Sequence, residues 1–426
     1  MRVTVNEWKR PDWAQLSWPG RAAIWTGLRR AAPFLAALAF LVVGYWLHAS
    51  GVAQVADYQR ASYKTLSYSD IIWLYLRDGQ SAHPRPYLDY RLEYPALTGG
   101  LIYLLGYAPD LRLYFALSYA VLACCALATI ALVGRLTGAR PWFLAAAPGL
   151  FLYTGLNWDF AALATLALAL LAYQGRRDVW GTLALVLAVW LKFFPLAFLA
   201  AILIERLRTR QYRSAATIGG VFIAGSVAIN LPLALRSFDN WSEFFVLNAS
   251  RRPEPSLWTL LPSLPTAQVG VASLALLLGG GFVCALLALR SPAPVTLPLG
   301  GALLLWWLFS NKIYSPQYSL WVYFALALVG SAGPLWRAFA LYDLAYYYAS
   351  FQILFTSTFA GPDDIGQLIA WQARYLLQPL VAVRLLLLLL IVAGVVWRLG
   401  QGQRWPNWST VRHWPHAPFR ARPRSA

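Results

Sequence analysis

The chain has 426 residues, of which 59% are hydrophobic and only 12% charged. Soluble globular domains are about a quarter charged, so this composition, with its repeated apolar runs of roughly twenty residues, excludes an ordinary soluble enzyme and predicts a polytopic membrane protein. The net charge of +18 is carried by short basic pieces between apolar runs, the pattern of cytoplasmic loops beside anionic lipid rather than of a nucleic-acid interface.

In chain order, residues 1–30 are polar and basic and are expected in the cytoplasm, with a lead too long for a cleaved signal peptide. A first span over 31–50 is followed by a polar loop over 51–95, expected outside. That loop holds five of the 17 acidic residues: Asp57, Asp70, Asp78, Asp89 and Glu93. Long loops rich in aromatic and acidic residues are more often functional than idle. Within it, residues 69–76 read as an amphipathic helix in the membrane interface. Residues 95–107 are too short to cross and read as an interfacial hairpin. A second span covers 112–134.

Two hairpins of short apolar segments come next, 141–155 with 159–174 and 179–191 with 195–205. A straight crossing needs about twenty residues, so such segments require protein or a water-filled cavity around their ends. They predict a cavity opening to the outer face. Further spans are expected over 215–234, 268–289, 295–310, 316–331, 335–357 and 380–397. A second outer loop covers 235–267, and a basic, Pro- and Trp-rich cytoplasmic tail covers 398–426. The fold class is therefore all-α and polytopic, about twelve segments with both termini inside, and the membrane body is 31–397. In this arrangement about 22 of the 35 Lys and Arg residues fall inside and about 13 outside, as the positive-inside rule requires. No internal repeat of the kind many transporters carry is visible.

Cys124, Cys125 and Cys284 lie in apolar runs without metal-ligand spacing. The polar groups that could carry chemistry converge on the outer face: Asp70, Asp89, Glu93, Asp159, Lys192, Arg251, Arg252, Asn311, Lys312, Gln317 and Arg374. A carboxylate there could take the proton of an acceptor hydroxyl, and cations could hold a leaving phosphate. Each also has a plain reading as a water-facing helix end. Asp70 follows Ser69 at the head of an apolar run and could serve as a helix cap. Lys192 could snorkel to the interface, and Asp159 could serve a turn. His83 reads as a solvated loop residue. No Asp-x-Asp metal motif occurs, and Asp363-Asp364 in the last outer loop could bind a cation but reads equally as a helix N-terminus. Asp343, inside an aromatic span, is a functional suspect by position alone unless a Tyr or Arg partner makes it structural.

The segments Tyr68-Ser69-Asp70-Ile71-Ile72-Trp73-Leu74-Tyr75, Leu92-Glu93-Tyr94-Pro95, Asn157-Trp158-Asp159, Lys192-Phe193-Phe194-Pro195 and 310–318 (SNKIYSPQY) occur in an order that resembles glycosyltransferase family 87. That family belongs to the GT-C class of membrane enzymes that use polyprenyl-phosphate sugars. The resemblance runs from about residue 31 to about residue 330. It implies an extracytoplasmic active site in a multi-pass, prokaryotic plasma-membrane protein, and transfer of a hexose, mannose by default, to a lipid or glycan hydroxyl with inversion. It makes Asp70 the essential carboxylate; Asp57, closer to the first span but without the motif around it, is the runner-up. Glu93, Tyr94, Asp159, Lys192, Arg251, Asn311, Lys312 and Gln317 then become substrate-binding positions, Glu93 either ordering the loop or binding acceptor hydroxyls and Lys192 as a phosphate contact, with no metal and no cofactor beyond the donor. Some relatives carry histidines where this chain has Gln317 and Tyr318. A lipid or solute transporter or flippase is the alternative, and a scaffold the third reading.

Overall fold

The computed structural model describes residues 21–138, 141–261, 264–330, 333–359 and 365–401. Residues 1–20, the Asp363-Asp364 pair and the tail beyond 401 lie outside the described residues. What is described is helical, with no strand. In chain order the helices are α1 (Arg21–Ala49), α2 (Tyr58–Thr65), α3 (Asp70–Arg77), α4 (Ala96–Leu105), α5 (Leu111–Thr137), α6 (Trp142–Ala145), α7 (Gly149–Tyr153), α8 (Asp159–Gln174), α9 (Asp178–Leu191) and α10 (Leu196–Arg208). They continue with α11 (Tyr212–Arg236), α12 (Phe238–Ser250), α13 (Thr266–Arg290), α14 (Thr296–Ser310), α15 (Ser319–Val329), α16 (Gly333–Phe359), α17 (Ile365–Gln372) and α18 (Gln378–Gly400).

Five stretches are long and apolar enough to cross a bilayer: 31–53, 111–137, 212–236, 266–290 and 367–400. They mark a membrane protein. Only 11% of the apolar windows of α11 and α13 is buried inside the protein, so these two helices turn most of their apolar surface outward, where lipid would meet it. At the other extreme every residue of α15 is buried, and α15 forms the central post of the bundle.

The short helices are the ones that shape the interior. At 1.5 Å per residue, α8, with 16 residues, is about 24 Å long, less than the roughly 30 Å hydrocarbon core. The 14 residues of α9 and the 15 of α14 fall shorter still. The antiparallel pair α8 and α9 packs along its length, with α5 against α8 and α14 against α10, α15 and α18. The ends of these short helices therefore stop below the rim and leave room for loops to fold in.

Several expected boundaries shift. The segment 95–107 is one short helix, α4, rather than a hairpin. The segment 141–155 is broken into α6 and α7, because Pro141 and Pro148 each sit just ahead of a helix start, where proline is tolerated. The expected open loop 235–267 contains a thirteen-residue helix, α12, with Trp241, Phe244 and Phe245 along it.

Candidate functional site

The first polar loop is pinned before it reaches Asp70. His48, fully buried at the end of α1, sets Nδ1 3.0 Å from the Tyr68 carbonyl oxygen and Nε2 3.1 Å from that of Leu152. Ser69 caps α3: its Oγ accepts from the Ile71 amide and donates to the Gly155 carbonyl at 2.5 Å. A Cβ on Gly155 would lie 2.7 Å from the His48 ring, so only glycine lets these chains approach. The Asp70 amide donates to the Leu156 carbonyl at 2.8 Å. The capping duty that could have explained Asp70 therefore belongs to Ser69, and the Asp70 carboxylate is free for other work.

That carboxylate meets residues from the start of α8 and the end of α9. The Asn157 amide donates to Asp70 Oδ2 at 2.7 Å and to the Tyr94 hydroxyl at 2.8 Å, and the Tyr94 hydroxyl lies 3.3 Å from the same Oδ2. Asn157 Oδ1 accepts from Lys192 Nζ at 3.0 Å and from the Trp158 amide at 2.7 Å. Lys192 Nζ lies 3.4 Å from Asp159 Oδ2, and Trp321 Nε1 donates to Asp159 Oδ1 at 2.7 Å. The antiparallel hairpin explains the meeting. Asp159 is the first residue of α8 and Lys192 the residue just after α9, so the two ends come level, each charge at the helix terminus that favours it. Burial raises the Asp70 carboxyl above the usual carboxylate range, while hydrogen bonding with Tyr68, the Lys192 charge and the Asn157 amide act to lower it. Burial and the Asp70 charge also raise the Tyr94 phenol well above its ordinary value, which keeps it a donor.

Asp70 opens on a cavity of about 530 Å³, within the range of small-molecule sites. Asp70, Glu93, Tyr94, Asn157 and Lys192 form one end. The other is formed by Asn248 and Arg251, from the end of α12, and by Asn311, Lys312, Ser315 and Gln317, from the segment between α14 and α15. Phe193, Phe244, Phe245, Leu247 and Trp307 supply an apolar side. Arg251 is held by Glu254, Nε to Oε1 2.6 Å, and Lys312 Nζ donates to the Ala249 carbonyl at 2.7 Å. The Glu254 amide and the Ser256 hydroxyl both donate to the Lys312 carbonyl at 3.0 Å, tying the two segments together. Burial and the neighbouring Arg251 charge lower the Lys312 ammonium below its ordinary range. Two cations held close together favour the arrival of an anion.

The nine positions expected from the sequence, Asp70, Glu93, Tyr94, Asp159, Lys192, Arg251, Asn311, Lys312 and Gln317, gather in one place. Eight line the cavity, and Asp159 lies just behind Lys192. Glu93 gives both carboxylate oxygens to Arg77, at 2.6 and 2.9 Å, which orders the loop. Lys192 lines the cavity while its ammonium is engaged by Asp159 and Asn157. Asp89 pairs with exposed Arg85, which with its backbone amide holds the carboxyl down at about 2. Asp57, Arg252 and Arg374 do not line the cavity.

Asp343 is fully buried and accepts from the hydroxyls of Tyr153 at 2.6 Å and Tyr323 at 2.9 Å. It is a structural acid. His83 is stacked on Tyr103 and in tilted contact with Tyr107 rather than solvated. Asn157, Phe244 and Phe245 are not among the positions expected from the sequence; for Asn157, the 87 residues that separate it from Asp70 hide the contact. No group of three or more His, Cys, Asp or Glu gathers into a metal site among the described residues.

No family model matches the chain, and no curated protein matches it.

Proposed function

We propose that this protein is a membrane glycosyltransferase that moves a hexose, mannose by default, from a polyprenyl-phosphate donor to the hydroxyl of a lipid or glycan acceptor. The observation that carries the reading is the cavity itself. An enclosed carboxylate at one end faces a pair of cations at the other, and an aromatic flank joins them. In this reading the acceptor hydroxyl lies against Asp70 and its oxygen attacks the anomeric carbon. The proton passes to Asp70, and the bond from the anomeric carbon to the phosphate oxygen breaks with its electron pair on the phosphate. Attack from the side opposite the phosphate inverts the anomeric centre. Arg251 and Lys312, rather than Lys192, take the charge that grows on the leaving phosphate. The phenylalanines beside them suit the first isoprene units.

Charge supports the orientation. The bundle end away from the cavity carries Arg135, Arg176, Arg177, Arg206, Arg208, Arg210, Arg213 and Arg290, as a cytoplasmic end would. The cavity then faces outward in a multi-pass protein of about twelve segments, with a prokaryotic plasma membrane as its home. A transporter would need ionisable groups along a mid-membrane path. Here Asp343 and Arg384 are buried and engaged by tyrosines, and the charges that line the cavity lie toward one end of the bundle rather than along its middle.

The test is transfer of label from radiolabelled polyprenyl-phosphate hexoses in proteoliposomes. Label reaching a lipid or glycan product with wild type but not with Asp70→Asn supports the reading. Absence of transfer by wild type across several hexose donors overturns it and makes substrate efflux the measurement to make next.

A further inference from the structure

We infer that Asp159, Lys192 and Asn157 form a positioning relay that holds the Asp70 carboxylate in its ionised, correctly aimed state. This inference rests on Asp70 being the base. The chain of contacts is continuous. Trp321 Nε1 donates to Asp159 Oδ1 at 2.7 Å, Asp159 Oδ2 faces Lys192 Nζ at 3.4 Å, Lys192 donates to Asn157 Oδ1 at 3.0 Å, and Asn157 Nδ2 donates to Asp70 Oδ2 at 2.7 Å.

An asparagine amide can turn over, and turned over it would set its oxygen against the Asp70 carboxylate. Two donors on Oδ1, the Lys192 ammonium and the Trp158 amide, fix the orientation in which Nδ2 faces Asp70. Lys192 in turn is fixed from three sides: Asp159, Asn157 and the Tyr94 ring, whose centroid lies 4.8 Å from Nζ. Asp159 is fully buried, and Trp321, which grips it, is stacked between Phe194 and Tyr318 with ring centroids 4.4 and 4.0 Å away. Tyr318 and Trp321 both line the cavity. The relay thus runs from the cavity wall to the carboxylate through groups that have no slack.

The ionisable groups around Asp70 are Tyr58, Tyr63, Tyr68, Tyr94, Glu93 and Lys192. Among them Lys192 supplies the positive charge, set against the negative charge of Glu93. An opposite charge nearby favours the ionised carboxylate, and so does a hydrogen bond donated to it. Removing the Lys192 charge, or the Asn157 amide that Lys192 orients, therefore moves the Asp70 titration upward.

A test separates this role from a merely structural ion pair. Lys192→Met alone would leave Asp159 buried and unpaired, and the protein could fail to fold. The double variant Asp159→Asn/Lys192→Met removes both charges, and Asn157→Ala cuts the relay at its other end while leaving the ion pair in place. Infrared difference titration reads the carboxyl band that disappears in Asp70→Asn. Its midpoint should rise by about one pH unit in Asn157→Ala and by less in the double variant, where loss of the Asp159 charge offsets part of the loss of the Lys192 charge, and the acidic limb of kcat/KM should rise with it, at unchanged protein abundance. An unchanged midpoint in a folded variant, or a double variant that recovers wild-type transfer and pH profile, overturns the relay. Because the infrared midpoint needs no sugar transfer, failure of wild type to transfer any hexose strikes the glycosyltransferase reading and leaves the relay measurement standing.

Discussion

Two acids, Asp70 and Asp343, are bonded alike and placed differently. Asp343 accepts from two tyrosines within 2.9 Å. Asp70 accepts from Asn157 at 2.7 Å with Tyr94 at 3.3 Å. Hydrogen bonding alone would rank Asp343 first, and an acid inside a membrane span is a functional suspect by default. Asp343 has no exposed surface, however, and it does not line the cavity on which Asp70 opens. Asp70 keeps one side on an open chamber with cations across it. Burial makes an acid unusual, but access together with a facing charge makes it useful.

The largest expected effect breaks the comparison at Asp70. Asp70→Asn should lower hexose transfer by at least about a hundredfold, the lower end of what a positioned base contributes, with protein abundance preserved. Next come the facing cations. Arg251→Gln and Lys312→Gln should each raise the donor KM by roughly ten- to a hundredfold, since a hydrogen bond to a charged group is worth about 1.5–3 kcal/mol, and kcat should fall less than in Asp70→Asn.

The pH profile sharpens the same contrast. A base must be ionised, and burial raises Asp70. Transfer should therefore be lost on acidification at a pH above the ordinary carboxylate range of about 4. An acidic limb at or below that range would contradict the assignment.

At Asp343 the expected pattern reverses. Asp343→Asn should lower stability by about 1–3 kcal/mol through disturbed buried hydrogen bonds, measured by unfolding in detergent, while transfer per folded molecule stays within about twofold. The smallest effects belong to Asp57→Asn and Asp89→Asn, acids of the same loop that do not line the cavity. Both should transfer at the wild-type rate in the labelled-donor assay.

Much of this was legible in the residues. Apolar run length marks the membrane-crossing helices, because the bilayer sets a length that composition must meet. The shortness of 159–174 and 179–191 foretold a chamber at the ends of those helices. The clustering of acids and aromatics between 51 and 95 marked the loop that holds Asp70. Helix α12 was not legible, because FDNWSEFFVLNAS mixes polar and aromatic residues without a clean period, and its packing faces the cavity rather than a uniform core.

The pairings were decided by tertiary structure alone. Ser69 rather than Asp70 caps α3, Arg77 rather than substrate takes Glu93, and Asp159 takes Lys192. Each is a choice among several polar partners that the chain offers equally. Only the packing of the helices determines which of them come within reach of one another. Local propensity and hydropathy act over a few residues and so can be read along the chain. A hydrogen bond between Asn157 and Asp70 spans 87 residues, and it exists only once α3, α8 and α9 have met.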